Sequence, residues 1–135
     1  MSVDLIVFTS RSRMPATRAW AQSIVDAGFP AELDHDFDVD TFSGFLPCRY
    51  AGADAGFEYL AGPAESGDLE LPSGLDFSVT FTTHSELREL AASTVAAAVL
   101  CMLTGGVLVD PQADVTVPAE DALRWAREQL NEIEL

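Results

Sequence analysis

The chain has no lysine, only two histidines and only two cysteines, and each shortage closes off a class of function. Its seven basic residues are all arginine and face 22 acidic ones, so the formal charge is −15. So negative a surface repels phosphate groups, which argues against direct binding to DNA or RNA and against attachment to an anionic membrane surface. Two cysteines, Cys48 and Cys101, make no disulfide framework for 135 residues. None is needed, because a chain of this length buries about two-thirds of the surface that its unfolded form exposes. Both lie in apolar runs, where free thiols act as small hydrophobes. The first ten residues, MSVDLIVFTS, lack the basic segment of a secretory signal and place Asp4 early. A cytoplasmic, reduced location is expected.

Chemistry-bearing patterns are scarce as well. There is no Gly-rich phosphate loop, and two isolated histidines supply no triad spacing. Cys48 with His35 or His84 could form a thiol–base pair, but no cysteine-enzyme signature surrounds it. Glu58 stands between Phe57 and Tyr59 without a second carboxylate at a defined spacing, so no general acid/base pair is expected. No cofactor and no metal are expected, and the chain reads as a binder, not a catalyst.

What is present is apolar sequence in patterned runs, 48% of the residues, with no linker to divide them. One domain over residues 1–135 is expected. Residues 3–9 (VDLIVFT) predict a strand buried on both faces. Pro15 opens a helix with Ala16, Trp20, Ile24 and Ala27 on one face, stopped by Gly28 and Pro30. Residues 32–40 (ELDHDFDVD) alternate with period two and predict an amphipathic strand, with Leu33, His35, Phe37 and Val39 inward. FLPCRYAG and AGFEYLAG predict a hairpin, Pro47 lying at an edge or bulge. Residues 62–74 are loop by composition, and LDFSVTFTT is the clearest strand. Thr83 and Glu86 have capping-box spacing for a helix over 85–104. VLVD predicts a further strand, and Pro118 opens an amphipathic helix with Ala119, Ala122, Leu123, Ala126, Leu130 and Ile133 inward. The fold class is therefore α+β: a single mixed, mostly antiparallel sheet of about five to six strands with two to three helices. Residues 90–109 carry no charge for twenty positions, long enough for a bilayer. Ser93, Thr94, Thr104 and the Gly105-Gly106 break, with no basic flank beyond Arg88, favour a buried helix and strand instead.

The acidic residues are unevenly placed. Asp34, Asp36, Asp38 and Asp40 fall on one face of the expected strand, and Glu65, Asp68 and Glu70 lie in the acidic loop. An EF-hand would need Gly at its sixth position and Glu at its twelfth. Counting from Asp34 these are Val39 and Phe45, and from Asp36 they are Thr41 and Pro47, so both registers fail. On a strand the carboxylates would also stand roughly 6.5–7 Å apart, too far for one cation to gather. Two uses stay open: a solvated face, or a docking stripe for an Arg/Lys-rich protein, the preferred functional reading because solubility needs no such concentration. Arg11 and Arg13, with Arg18, precede or open the first helix; pairing with the acidic segment is their expected use, and a pocket they would share with Arg49 and Glu58 is the alternative.

SGFLPCRY (43–50), AGFEYL (55–60), the Ala-rich helix and TGGVLVDPQ (104–112) together resemble small acidic bacterial immunity proteins, which neutralise toxins delivered by contact-dependent or type VI systems. The resemblance implies a cytosolic α+β protein that binds one cognate toxin domain and blocks its active site. It carries over no toxin-contacting residue. The expected function is an acidic protein-binding domain with a basic protein partner, as a monomer or homodimer. The alternatives are a small ligand-binding domain or enzyme, or an oligomeric structural subunit.

Overall fold

The first strand, β1 (Val3–Thr9), explains its own apolarity by its position: strands lie on both sides of it. In the computed structural model, which describes residues 2–64, 74–84 and 86–133, β1 pairs with β5 (Phe77–Thr83) on one edge and β6 (Val107–Asp110) on the other. Leu5 and Val7 face the core, while Phe8 is buried on the opposite side. The remaining elements are α1 (Thr17–Asp26), β2 (Ala31–Leu33), β3 (Ser43–Tyr50), β4 (Ala53–Pro63), α2 (Leu87–Thr104), β7 (Val115–Pro118) and α3 (Ala122–Glu132). The sheet order is β2-β3-β4-β5-β1-β6-β7. Every pairing among the described residues is antiparallel, so the sheet is not mixed, and it has seven strands where five to six were expected.

The extra strand is β7, which forms a hairpin with β6. Four residues ending in proline give too short an alternation to register as a strand. Pro118 therefore closes β7 and does not open the helix; a 3-10 turn, Ala119–Asp121, intervenes before α3. The capping box also fails. Thr83 is the last residue of β5, fully buried, and Glu86 stands at the N-cap of α2 without a side-chain cap bond.

β5 and β6 both run antiparallel to β1, so α2 connects them by crossing over it. The crossing explains why α2 is apolar on nearly every side: it has the sheet beneath it and α1 and α3 beside it. Ala91 through Cys101 are all buried. By length and composition α2 could cross a membrane, yet 67% of it is buried inside this fold. Gly105 ends it in the left-handed conformation, φ 66°. Gly106 is a contact requirement, since a Cβ there would collide with the carbonyl oxygen of Phe8.

Alternation in the β3–β4 hairpin came out as expected. Leu46, Cys48 and Tyr50 point inward with Ala55, Phe57 and Tyr59, and the turn is Ala51-Gly52, both at positive φ (52° and 83°), as a type I′ turn requires. β2 pairs with β3 only over Cys48–Tyr50, so Pro47 lies just beyond the last β2 partner. The helices pack on one side of the sheet, and Phe45, Glu58 and Leu60 face the other.

Candidate protein-binding site

The acidic row is not a strand. β2 ends at Leu33, and the next nine residues form a folded loop that leads into β3. Asp34 and Asp38 shape it locally. The Oδ1 of Asp34 accepts the backbone N–H of Asp36 at 3.1 Å, and the Oδ1 of Asp38 accepts that of Asp40 at 3.4 Å. Such bonds from an aspartate to the backbone two residues on favour turns over a ladder, which is why period-two alternation failed here. The N–H of Phe42 then returns to the Asp38 carbonyl at 3.0 Å.

Apolar residues hold this loop to the core. Phe37 stacks edge-on against Tyr59, ring centroids 5.3 Å apart, and against Phe42 at 5.6 Å, with Trp20 at 6.2 Å. The Tyr59 hydroxyl donates to the Val39 carbonyl at 2.6 Å, and the Thr17 hydroxyl of α1 donates to the His35 carbonyl at 2.6 Å. Phe37 and Val39 thus point inward as expected, whereas His35 is exposed and not half-buried in the core. Burial raises the Tyr59 phenol's pKa, with the charges of Asp40 and Asp38 adding to the effect, so it remains a hydrogen-bond donor.

Asp34, Asp36 and Asp38 are exposed. Asp40 is engaged inside the molecule, its carboxylate 3.1 Å from the guanidinium Nε of Arg11. Hydrogen bonding with Asp38, and then with Arg11, holds its pKa below the ordinary 3.8. Three carboxylates therefore remain outward on a loop braced from behind. Glu65, Asp68 and Glu70 lie outside the described residues.

The pocket expected from Arg11, Arg13, Arg49 and Glu58 does not form, because the four go to separate places. The backbone N–H of Arg11 binds the Asp76 carboxylate at 3.0 Å while its side chain holds Asp40. Arg13 donates to the carbonyl of Thr104 at the C-terminus of α2, where a cation is favoured. Arg49 lies 3.6 Å from Glu32 and opposite Asp54, and Glu58 is four residues further along β4, opposite Phe45, about 13 Å away at strand spacing.

Both thiols are buried. A shallow groove of about 300 Å³ is lined by both His35 and Cys48. Burial, however, pushes the Cys48 thiol up to about 11, so no nucleophilic thiolate is available near neutrality. Cys101 is pushed up to about 12 for the same reason. Among the described residues no three His, Cys, Asp or Glu side chains are grouped to hold a metal ion.

Two residues missed in the sequence form an exposed apolar pair on the other face of the hairpin. Phe45 and Leu60 are 54% and 59% exposed, unusual for side chains so large. Ser43, directly after the acidic loop, pairs with Leu60, and Phe45 pairs with Glu58. The two apolar side chains are thus diagonal neighbours on the helix-free face, at the end of β3 where the loop enters. The signal was in the alternation: with Leu46 and Cys48 inward, Phe45 must point out, and with Phe57 and Tyr59 inward, so must Glu58 and Leu60. Phe45 has a structural use as well, its ring lying over Gly56 on the neighbouring strand. Among the described residues nothing of that kind accounts for Leu60.

Comparison of the chain with protein-family models, with curated proteins and with solved structures returned no match.

Proposed function

We propose that this chain is an acidic protein-binding domain of the immunity type, which captures a basic toxin domain in the cytoplasm and blocks it. The observation that carries the reading is the placement of three outward carboxylates, Asp34, Asp36 and Asp38, on a braced loop that leads into β3; the exposed pair Phe45 and Leu60 lies on the opposite face of the β3–β4 hairpin. Opposite charge steers the encounter and raises the association rate, while a desolvated apolar anchor slows dissociation. A preformed loop adds affinity because its ordering cost is met on folding and not on binding. The charge of −15 and the resemblance of the β3–β4 hairpin to immunity proteins support the same assignment.

The test uses a basic toxin domain, sought first in the gene directly upstream of this chain; finding none there or in a pull-down from the native host counts against the assignment. Stopped-flow association is measured at low and high salt for the parent, for Asp34→Asn/Asp36→Asn/Asp38→Asn, and for Phe45→Ser/Leu60→Ser. The first variant is expected to associate more slowly with a flatter salt dependence, and the second to dissociate faster. Absence of a complex, or rates unchanged in both variants, would refute the assignment.

A further inference from the structure

Toward the other end of the sheet from the acidic loop, on the same helix-covered side, the N-terminus of α2 and the C-terminus of α3 leave a cleft over β1 of about 530 Å³. That volume falls within the range of small-molecule sites, roughly 300–1,000 Å³. Its walls are apolar: Val3 and Leu5 of β1, Leu90 of α2, and Trp125 of α3. Leu87 stands at the mouth, 46% exposed. Asp110 and Glu132 are the charged residues of the lining, and no basic side chain joins them.

Asp110 is fixed in place. Its Oδ1 accepts from Nε2 of Gln112 at 2.8 Å and from the N–H of Ala113 at 3.4 Å. Gln112 is itself clamped to the backbone of Asp4, its Oε1 accepting at 2.8 Å and its Nε2 donating at 2.9 Å. A carboxylate oriented in this way needs no reorganisation when a ligand arrives, and its second oxygen makes no hydrogen bond to the described residues. Helix end charges do not settle the sign of the site. The N-terminus of α2 and the C-terminus of α3 both open on the cleft, and their partial charges of opposite sign, about half an electron each, offset. Two full negative charges remain.

We propose that this cleft binds a small organic cation, its hydrocarbon body against Leu90 and the Trp125 ring and its ammonium at Asp110 and Glu132. An aromatic wall suits a cation further, through the negative face of the ring. The chain's net charge opposes anionic ligands of the same shape.

Three probes that share a phenyl body separate the possibilities: phenethylammonium, phenylethanol and phenylpropionate. Each is titrated into the whole chain while the two tryptophan indole resonances are followed by NMR, Trp125→Phe assigning them. Phenethylammonium is expected to move the Trp125 signal in the millimolar range and leave that of Trp20, which is buried in the aromatic cluster. The alcohol should bind about fivefold more weakly, as loss of one partly exposed charge pair implies, and the carboxylate should give no shift. Asp110→Asn keeps the Oδ1 acceptor that Gln112 needs; it should reduce the amine to the level of the alcohol with an unchanged melting curve. Should Asp110→Asn melt early, the exposed Glu132→Gln gives the same comparison. Equal shifts from all three probes, or a Trp125 signal that none of them moves, would overturn the proposal.

Discussion

The hydroxyl of Tyr59 donates to the carbonyl oxygen of Val39 at 2.6 Å, and this bond ties the acidic loop to the middle strands of the sheet. Tyr59 is 1% exposed and the bond is partly buried, so a lost partner is costly. Tyr59→Phe keeps the ring packing against Phe37 and Phe81 and removes only the donor. The expected loss is about 1 kcal/mol in urea unfolding. Amide exchange over residues 34–42 should accelerate more than exchange in β1. Equal acceleration in both would mean that the bond stabilises the fold generally and does not brace the loop.

The three exposed carboxylates should add nothing to folding. Asn retains the side-chain oxygen that closes the turns at positions 34 and 38, so Asp34→Asn/Asp36→Asn/Asp38→Asn is expected to fold normally. Surface changes of this kind stay within about 0.5 kcal/mol each. Relief of repulsion sets the sign: a small gain in stability at low salt that fades at high salt. A large loss at either salt would show that these charges are structural.

Gly106 and Gly62 should respond oppositely to alanine. At Gly106 the new Cβ runs into the backbone of Phe8 and within 3.2 Å of Thr9 Cβ and Thr104 Oγ1. Overpacking of this kind costs about 1–3 kcal/mol. At Gly62 none of the described residues lies within 4 Å. Alanine there restricts the unfolded chain and is expected to add about 0.4–1 kcal/mol. Thermal melts of the two variants against the parent decide it, and a stabilised Gly106→Ala would contradict the packing described.

Asp40 has a pH signature. Its carboxyl titrates below 3.8 in the folded chain and at the ordinary value when unfolded. The unfolded state therefore binds the proton first on acidification. The stabilisation is complete above the ordinary value and disappears as the pH falls through the lowered one. Arg11→Ala removes one of the bonds that lower it, together with the arginine's charge, so acid unfolding followed by circular dichroism should begin at a higher pH than in the parent. Because Asp40 is close to solvent, the difference should shrink in high salt. Identical acid limbs for parent and variant would mean that the Arg11–Asp40 pair contributes nothing.

The parts of the fold that could be read from residue order are those where one period repeats long enough. β1, β5 and α2 were foreseen because VDLIVFT and FSVTFTT keep strand spacing and the Ala-rich run is too uniform to be anything but enclosed. The acidic segment misled because two structures share its pattern. Asp-X repeated gives strand alternation, but it also gives successive turns closed by aspartate side chains, and those local bonds prevailed once Phe37 and Phe42 found Tyr59. Nothing local in Asp36 distinguishes the two. Trp125 was missed as an inward residue because it shares its helix face with Asp121, Glu128 and Glu132, a face that looks charged. The cleft it lines depends on how far α3 splays from α2, which no single segment encodes.

The position of β1 also sets an order of events during synthesis. It leaves the ribosome before both of its neighbours in the sheet, residues 77–83 and 107–110. The β3–β4 hairpin, with its two-residue turn, can close as soon as it is made, while β1 waits as an apolar ribbon with both edges open. A chain stopped before residue 107 would leave one side of β1 without its strand and α2 without β6 and α3. Such a nascent chain is a natural client for chaperones, and the central strand is completed only once residues 107–110 have been made.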